Sequence, residues 1–330
     1  MIPWRVNLFS KVGGVLMLKC KQAVFFFCVE EPHHHVAKSV FERLQTVFAL
    51  EEAGFSIDGY PVLQHRDAEG NRLCFCRQKE LVSYAFRHYL PTLREHFLDF
   101  DMAGEINWHE GAKAPDRVLT LHTIGDVEAG IFTPADPGLF RNLLLSLETE
   151  REKAHLEDFA VMTEGTHWTG SFKGQDPKDL RHLPVPMVDI EIGSTAESWE
   201  DPRAAEVLTK GLAGVFQKGE YPSPILCVGG VHFESAFNEA AKNSLYPFGI
   251  SHILPNQWLV SGAYDREENF WKLEAAAKSI KGKLKAVVFH EGIKGPFRDA
   301  CRRLGEAFGI PVMRHKHLKN PENLEWLQNK

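Results

Sequence analysis

Hydrophobic residues in this chain fall into short runs without polar alternation, separated by stretches whose apolar positions recur with a helical period. AVFFFCVE (23–30) reads as a buried strand, and the segment after Pro32, VAKSVFERLQTVFALEEAGF, as an amphipathic helix ending at Gly54. A hairpin follows in GYPVLQHRDAEGNRLCFCRQ, with DAEGN as its turn, and then a helix from Lys79 toward Phe97 that Pro91 interrupts. Strands are expected at RVLTLHTIG, FAVMTEG, PMVDIEIGS, PILCVGG, GISHILP, LKAVVFHEG and GIPVMRHK. Helices separate most of them, from PGLFRNLLLSLETEREKAHLEDF to GPFRDACRRLGEAFG. Short apolar strands alternating with helices predict an α/β fold, a three-layer mixed or parallel sheet with helices on both faces. No repeat, low-complexity linker or charge block divides the chain, so residues 17–330 are expected to form a single domain. Residues 1–16 precede Met17 and the first convincing strand and are expected to be a tail outside the fold.

Composition narrows the class. At 330 residues, with 44% hydrophobic and 25% charged residues, the chain is of globular type. No run approaches the roughly 18 apolar residues of a membrane helix. The apolar VGGVLML near the start is cut off by Lys19 and Lys21 without a small-residue cleavage site, which argues against a secretory signal. The six cysteines are scattered, as in a reduced cytoplasmic protein. Cys74 and Cys76 share a strand face and are expected to be buried small side chains, since no second CxC or CxxC completes a metal site. The net charge of −6 is uneven: Gly262–Lys330 holds 14 Lys and Arg against 9 Asp and Glu, a local +5 that leaves −11 on the rest. The basic third is suited to phosphates, and equally to ordinary solvated helix faces.

The chemistry lies in the positions of the 16 histidines. His109, His122, His167, His232 and His252 each follow a short apolar run, and ligands of open α/β sheets gather at strand carboxyl ends. A single histidine there is ordinarily structural; five alike point to one pocket. At most one residue of the HHH run at 33–35 is expected to face a pocket, because neighbours on a helix point apart. In MTEGTHWTG, Glu164, Thr166 and His167 supply an orienting carboxylate, a hydroxyl and a proton carrier. In CVGGVHF, the amides near Gly229 and Gly230 are candidate donors to a phosphate or oxyanion, and His232 stands beside them. Glu191 and Ser194 of DIEIGS are further site candidates, with helix entry the plainer role for Ser194. Neutral imidazoles also ligate zinc, so a three-ligand zinc with one water can be drawn from His122, His167, His232 and His252.

In order and spacing, these segments resemble the archaeal and plant type of D-aminoacyl-tRNA deacylase from about Met17 through His317. NWH and LTLH stand where that family has SRH and LTTH; EGTHWTG resembles EATHHGP; EIGSTAESW resembles EIGSSEEEW; GGVHFES and SHILP resemble GGGHYAP and GHILP. Trp168 stands where the family usually has a second histidine, and Val231 where it has a third glycine. The resemblance implies a phosphorylase- or peptidyl-tRNA-hydrolase-like fold and hydrolysis of the ester joining a D-amino acid to the 3′ end of tRNA. It makes tRNA the partner, without DNA or membrane, and zinc a possible cofactor. On this reading Glu164, Thr166, His167, His232 and His252 are catalytic, with His167 or His232 the base and Glu164 its orienter. Gly229, Gly230, Glu191, Ser194, Lys294, Arg298 and Arg302 bind substrate, the three basic residues meeting the tRNA backbone, and His109 and His122 hold metal. The alternatives are a non-catalytic RNA- or ligand-binding homologue, or a hydrolase or phosphorylase of a nucleoside-like molecule.

Overall fold

The computed structural model describes residues 9–12, 15–18, 20–111 and 114–324. Of the leading segment 1–16, β1 (Phe9–Val12) pairs antiparallel with β2 (Val15–Leu18), and its other residues lie outside the described ones. The first half of the chain then runs β3 (Gln22–Cys28), α1 (His35–Val47), β4 (Glu51–Ile57), β5 (Tyr60–Arg66), β6 (Arg72–Gln78), α2 (Phe86–His96), β7 (Met102–His109) and β8 (Arg117–Thr123). Two short strands, β9 (Gly125–Asp126) and β10 (Ile131–Phe132), lead to α3 (Pro137–Lys153), β11 (Ala160–Thr163), α4 (Thr169–Phe172), β12 (Met187–Ser194), α5 (Ala196–Trp199) and α6 (Pro202–Leu212). The remainder is β13 (Ser223–Val228), α7 (Ser235–Lys242), β14 (Phe248–Leu254), α8 (Asn256–Ser261), α9 (Phe270–Ser279), β15 (Ala286–Phe289), α10 (Gly295–Phe308) and β16 (Val312–Arg314).

The α/β class is as expected, and the strands divide between two larger sheets. An eight-stranded mixed sheet has the order β11-β8-β12-β7-β3-β6-β5-β4, and a four-stranded parallel sheet the order β14-β13-β15-β16. Strand alternation explains how they join. Phe25 and Phe27 of β3, Leu119 and Leu121 of β8, and Ile190 and Ile192 of β12 face one apolar cluster that also takes Ile225, Ile250 and Val288 of the smaller sheet. The intervening residues Val24, Phe26, Cys74 and Cys76 face a second cluster on the other side of the large sheet. Both cysteines are buried there, and burial pushes the Cys74 thiol up to about 11.

Two local readings change. The helix expected to reach Gly54 ends at Val47, and Glu51–Ile57 forms an edge strand instead. The cause is a tight hairpin at Asp58–Gly59, both with positive φ, which sets Ile57 opposite Tyr60. An Asp-Gly pair is the preferred two-residue connection between twisted antiparallel strands. The helix expected to break at Pro91 continues through it as α2, anchored on both sides of the proline by buried Phe86, Tyr89 and Leu93.

Trp168 belongs to the second cluster. It is buried, its ring meets Phe86 edge-on at 5.8 Å, and its indole packs beneath Gly170. Trp168→Ala should therefore cost about 3–5 kcal/mol, the range for emptying an aromatic site in a core. Urea unfolding checks this, and a change under 1 kcal/mol would mean that the ring is not packed as described.

Candidate active site

Alternation also builds the site. On β7, Glu105, Asn107 and His109 project to the face opposite the shared core; on β12, so do Asp189 and Glu191, and on β8, Thr120 and His122. The result is a buried polar row across three neighbouring strands. Gly193 opposes His109 in register, and a Cβ at 193 would come within 2.6 Å of the histidine's own Cβ, so glycine makes room for that imidazole.

Residues 164–168 run between the two sheets and close over the row. The Glu164 N–H donates to Leu121 O of β8, Gly165 N–H to His232 O at 2.8 Å, and Thr166 N–H to Ile253 O of β14 at 2.8 Å. Pro255 lies so close that a Cβ at Gly165 would meet its Cγ at 2.1 Å, which excludes a side chain there. This seam delivers the Glu164 carboxylate into the middle of the histidines. Its Oε2 lies 2.6 Å from His232 Nε2 and 3.5 Å from His109 Nε2. His122 stacks on His167 with ring centroids 3.7 Å apart.

Hydrogen bonds fix which imidazole nitrogens carry protons. His167 Nδ1–H donates to Gly165 O at 2.9 Å, leaving a lone pair on Nε2. His109 Nδ1–H donates to Ser194 Oγ at 2.9 Å, since that hydroxyl gives its own proton to Pro115 O; His109 Nε2 then faces Glu164 with a lone pair. Burial pushes the imidazoles of His109, His122 and His167 down, His122 to about 4, so they are neutral at pH 7.

The carboxyls split. Burial alone would raise Glu164, but the His232 hydrogen bond outweighs it and keeps the group ionised. Burial, followed by the charge of Glu164, pushes Glu191 well up, so it stays protonated beside that carboxylate. Burial and the charges of Glu105 and Glu164 do the same to Asp189, and burial brings Glu105 to about 7. Glu164 carries the charge while Glu191 and Asp189 stay neutral beside it.

A cleft of about 970 Å³ opens onto this cluster, lined by His109, His167, His232, Asn107 and Glu191, with Trp108, Phe233 and Trp258 as apolar walls. The remaining sequence candidates lie elsewhere. His122 and Glu164 form the layer beneath the cleft surface. His252 is fully buried, not in the cleft: its Nδ1 meets Thr123 Oγ1 at 2.8 Å and Thr166 Oγ1 at 3.2 Å, and Thr166 Oγ1 accepts from Ile253 N–H. Thr166 and His252 thus tie the seam to β14, and Ser194 orients His109. The glycine turn differs from an open anion nest, because Gly229 N–H is bound to Leu254 O and Val231 N–H to the Glu234 carboxylate. Gly230 does line the cleft. Lys294, Arg298 and Arg302 do not; Lys294 and Arg298 stand at the start of α10, and Arg302 is paired with Asp299.

His109 and His122, paired by sequence as metal ligands, fall in different groups of converging donors. One is His109, Glu164 and His232; a second is His122, Glu164 and His167; a third is His122, Asp189 and Glu191. The sequence reading omitted Asp189, Glu105 and Asn107, though the i, i+2 spacing within GEINWH and VDIEI carried the signal.

Residues 96–313 match the family model described as D-aminoacyl-tRNA deacylase. The D-aminoacyl-tRNA deacylase of Pyrobaculum aerophilum is 31% identical over 215 residues, covering 63% of this chain and 72% of its own. That of Pyrococcus furiosus is 26% identical over 279 residues, covering 84% and 94%. A crystal structure titled as a conserved protein of unknown function, AF0625, shares the fold with a TM-score of 0.71 at 18% identity, covering 91% of this chain and 97% of its own.

Burial also holds the His252 imidazole down, to about 3. Below pH 6.5 the unfolded chain takes up a proton that the folded one refuses, so His252 makes stability fall as pH falls, by up to about 1.4 kcal/mol per pH unit. Urea unfolding from pH 6.5 to 4.5 should show a decline about 2 kcal/mol shallower in His252→Gln than in the unaltered protein. Parallel declines would mean that His252 titrates normally.

Proposed function

The chain belongs to the D-aminoacyl-tRNA deacylase family, and on that premise we propose that the cleft over Glu164 is where the ester between a D-amino acid and the 3′ end of tRNA is hydrolysed. The observation that carries this reading is the His232–Glu164 pair: a half-exposed imidazole in the cleft wall, hydrogen-bonded at 2.6 Å to a fully buried, ionised carboxylate. Such a carboxylate orients the ring and stabilises the imidazolium formed when the ring accepts a proton. In the reaction, water oxygen bonds to the ester carbonyl carbon and His232 takes the water proton on Nδ1, the nitrogen not engaged by Glu164; Nδ1 turns from its enclosed position toward the cleft to do so. The carbon–oxygen bond to the ribose then breaks, and the proton passes to the departing ribose oxygen, giving free D-amino acid and tRNA. General-base action of this kind contributes typically about 10²–10⁴-fold.

Asn107 suits the oxyanion better than the glycine turn does. It lines the cleft, and its Oδ1 is held by Trp108 N–H at 2.8 Å, which leaves its amide protons as donors. Neutral Glu191 beside Glu164 spares the site a second buried charge.

Zinc fits the donor set. His122 Nε2 and Glu164 Oε1 are buried without a hydrogen-bond partner among the described residues, and His167 Nε2 has its lone pair free. His109, Glu164 and His232, or His122, Glu164 and His167, would hold the ion. When bound there, zinc supplies a Lewis acid that lowers the pKa of a coordinated water toward neutrality.

No described helix is long and apolar enough to cross a membrane. A tRNA substrate and six free cysteines, five of them buried, support a cytoplasmic site of action.

Purified protein mixed with matched D- and L-aminoacyl-tRNA should release amino acid from the D ester. His232→Ala should lower kcat by at least about a hundredfold and leave KM for tRNA near its original value, because the imidazole acts on the transition state. The change also takes a hydrogen-bond partner from the buried Glu164 carboxylate, so melting temperature should fall, and kcat is compared per folded molecule. A destabilised but fully active His232→Ala protein would remove His232 from the chemistry.

A further inference from the structure

The HHH run belongs to an aromatic surface that the hydrolytic cluster does not use. His33 stacks on Trp108 with ring centroids 5.3 Å apart and planes 9° apart, and meets Tyr84 edge-on at 5.1 Å. His35 meets Trp108 at 5.6 Å and Trp199 at 5.4 Å. These five rings are joined contact to contact, and every one is half-buried, unlike the aromatic core, where Phe25, Phe26 and Phe27 are at most 1% exposed. His33 and His35 accordingly serve as more than core filling. They follow β3, Trp108 lies near the end of β7, and Trp199 follows β12, so the surface sits at the carboxyl ends of three parallel strands.

The surface is continuous with the cleft. Tyr84 and Trp108 line both, and Trp199 Nε1–H donates to the main-chain oxygen of His109 at 3.0 Å. Among the described residues, the His33 and His35 rings make no hydrogen bond to protein, which leaves their nitrogens and exposed edges for a ligand. One cation stands over it: Lys173 Nζ lies 4.8 Å from the Tyr84 ring centre.

We propose that this shelf of His33, Tyr84, Trp108, His35 and Trp199 is a stacking site for the unpaired bases that precede the terminal adenosine of the tRNA 3′ end. The inference rests on the reading that the cleft receives the D-aminoacyl ester. With the ester at His232, the single-stranded nucleotides before it must leave the cleft across its rim. Unstacked bases offer flat π faces of any sequence, and aromatic side chains and imidazoles are the usual platforms for them. Lys173 adds one charge for the accompanying backbone. The shelf contributes to binding every tRNA alike, because all of them carry the same 3′ end.

A two-by-two comparison tests this with RNA hairpins ending in single-stranded CCA, D-aminoacylated chemically. One hairpin is intact, and the other has abasic sugars at the two cytidine positions. The unaltered protein should lose about tenfold in kcat/KM on the abasic hairpin, the lower range for a stacked base. His33→Ala/His35→Ala should lose about tenfold on the intact hairpin, through KM, and nothing further on the abasic one. His33→Phe/His35→Phe, which keeps flat rings, should stay within about twofold of the original on both. Melting temperatures of both double variants check that the fold is intact. Losses that multiply across the two changes, unchanged turnover of the intact hairpin by the alanine variant, or failure of phenylalanine to preserve it would each overturn the shelf. An unaltered protein that cleaves neither hairpin would remove the parent reading instead.

Discussion

A single buried negative charge organises this molecule. The Glu164 side chain is fully enclosed, and an ionised carboxylate in such a place costs several kcal/mol unless polar partners surround it. Its partners come from distant parts of the chain: His232 from the turn after β13 and neutral Glu191 from β12, with the neutral His109 ring at the end of β7 approaching to 3.5 Å. His122 and His167 lie against it, with ring nitrogens within 4.8 Å of its carboxylate. Each partner is held by something else, His109 by Ser194 and His167 by Gly165 O. The strands and the cluster are therefore one construction: the alternation that buries Ile190 and Ile192 on one face sets Asp189 and Glu191 on the other.

The seam from Glu164 to Trp168 connects that charge to the architecture. Its backbone bonds to β8 on one side and to Ile253 on the other, so the relative position of the two sheets sets the position of the carboxylate. The hydroxyl-imidazole network of Thr123, Thr166 and His252 reinforces the junction inside the protein. His167 and Trp168 face opposite ways from it, one into the cleft and one into the apolar cluster against Phe86. Trp168 therefore does not occupy cleft space that a second imidazole would otherwise fill.

Much of this was legible in sequence because it depends on local periodicity. Short apolar runs located the strands that carry His109, His122 and His252, and their ends pointed to one region. What escaped depends on pairing between distant strands. That His252 is enclosed while His109 lines the cleft follows from which sheet each joins and what packs over it, and position after an apolar run is the same for both. The glycine turn read as open amides, yet Glu234, only four residues beyond Gly230, occupies Val231 N–H. Asp189 and Glu105 were overlooked because a carboxylate amid a strand reads as exposed, whereas here both are enclosed in the row of polar groups, burial holding Asp189 protonated and raising Glu105 to about 7. The edge strand at 51–57 had a readable signal in Asp58–Gly59, which the helical pattern before it obscured.

The account stands on the charge of Glu164. The most direct measurement is the single-turnover rate of D-aminoacyl-tRNA hydrolysis by Glu164→Gln, which keeps the shape of the side chain and removes its charge. The rate should fall by at least about a hundredfold at saturating protein, because His232 loses the carboxylate that stabilises its protonated form. A folded Glu164→Gln protein that hydrolyses the ester within threefold of the original rate would contradict it.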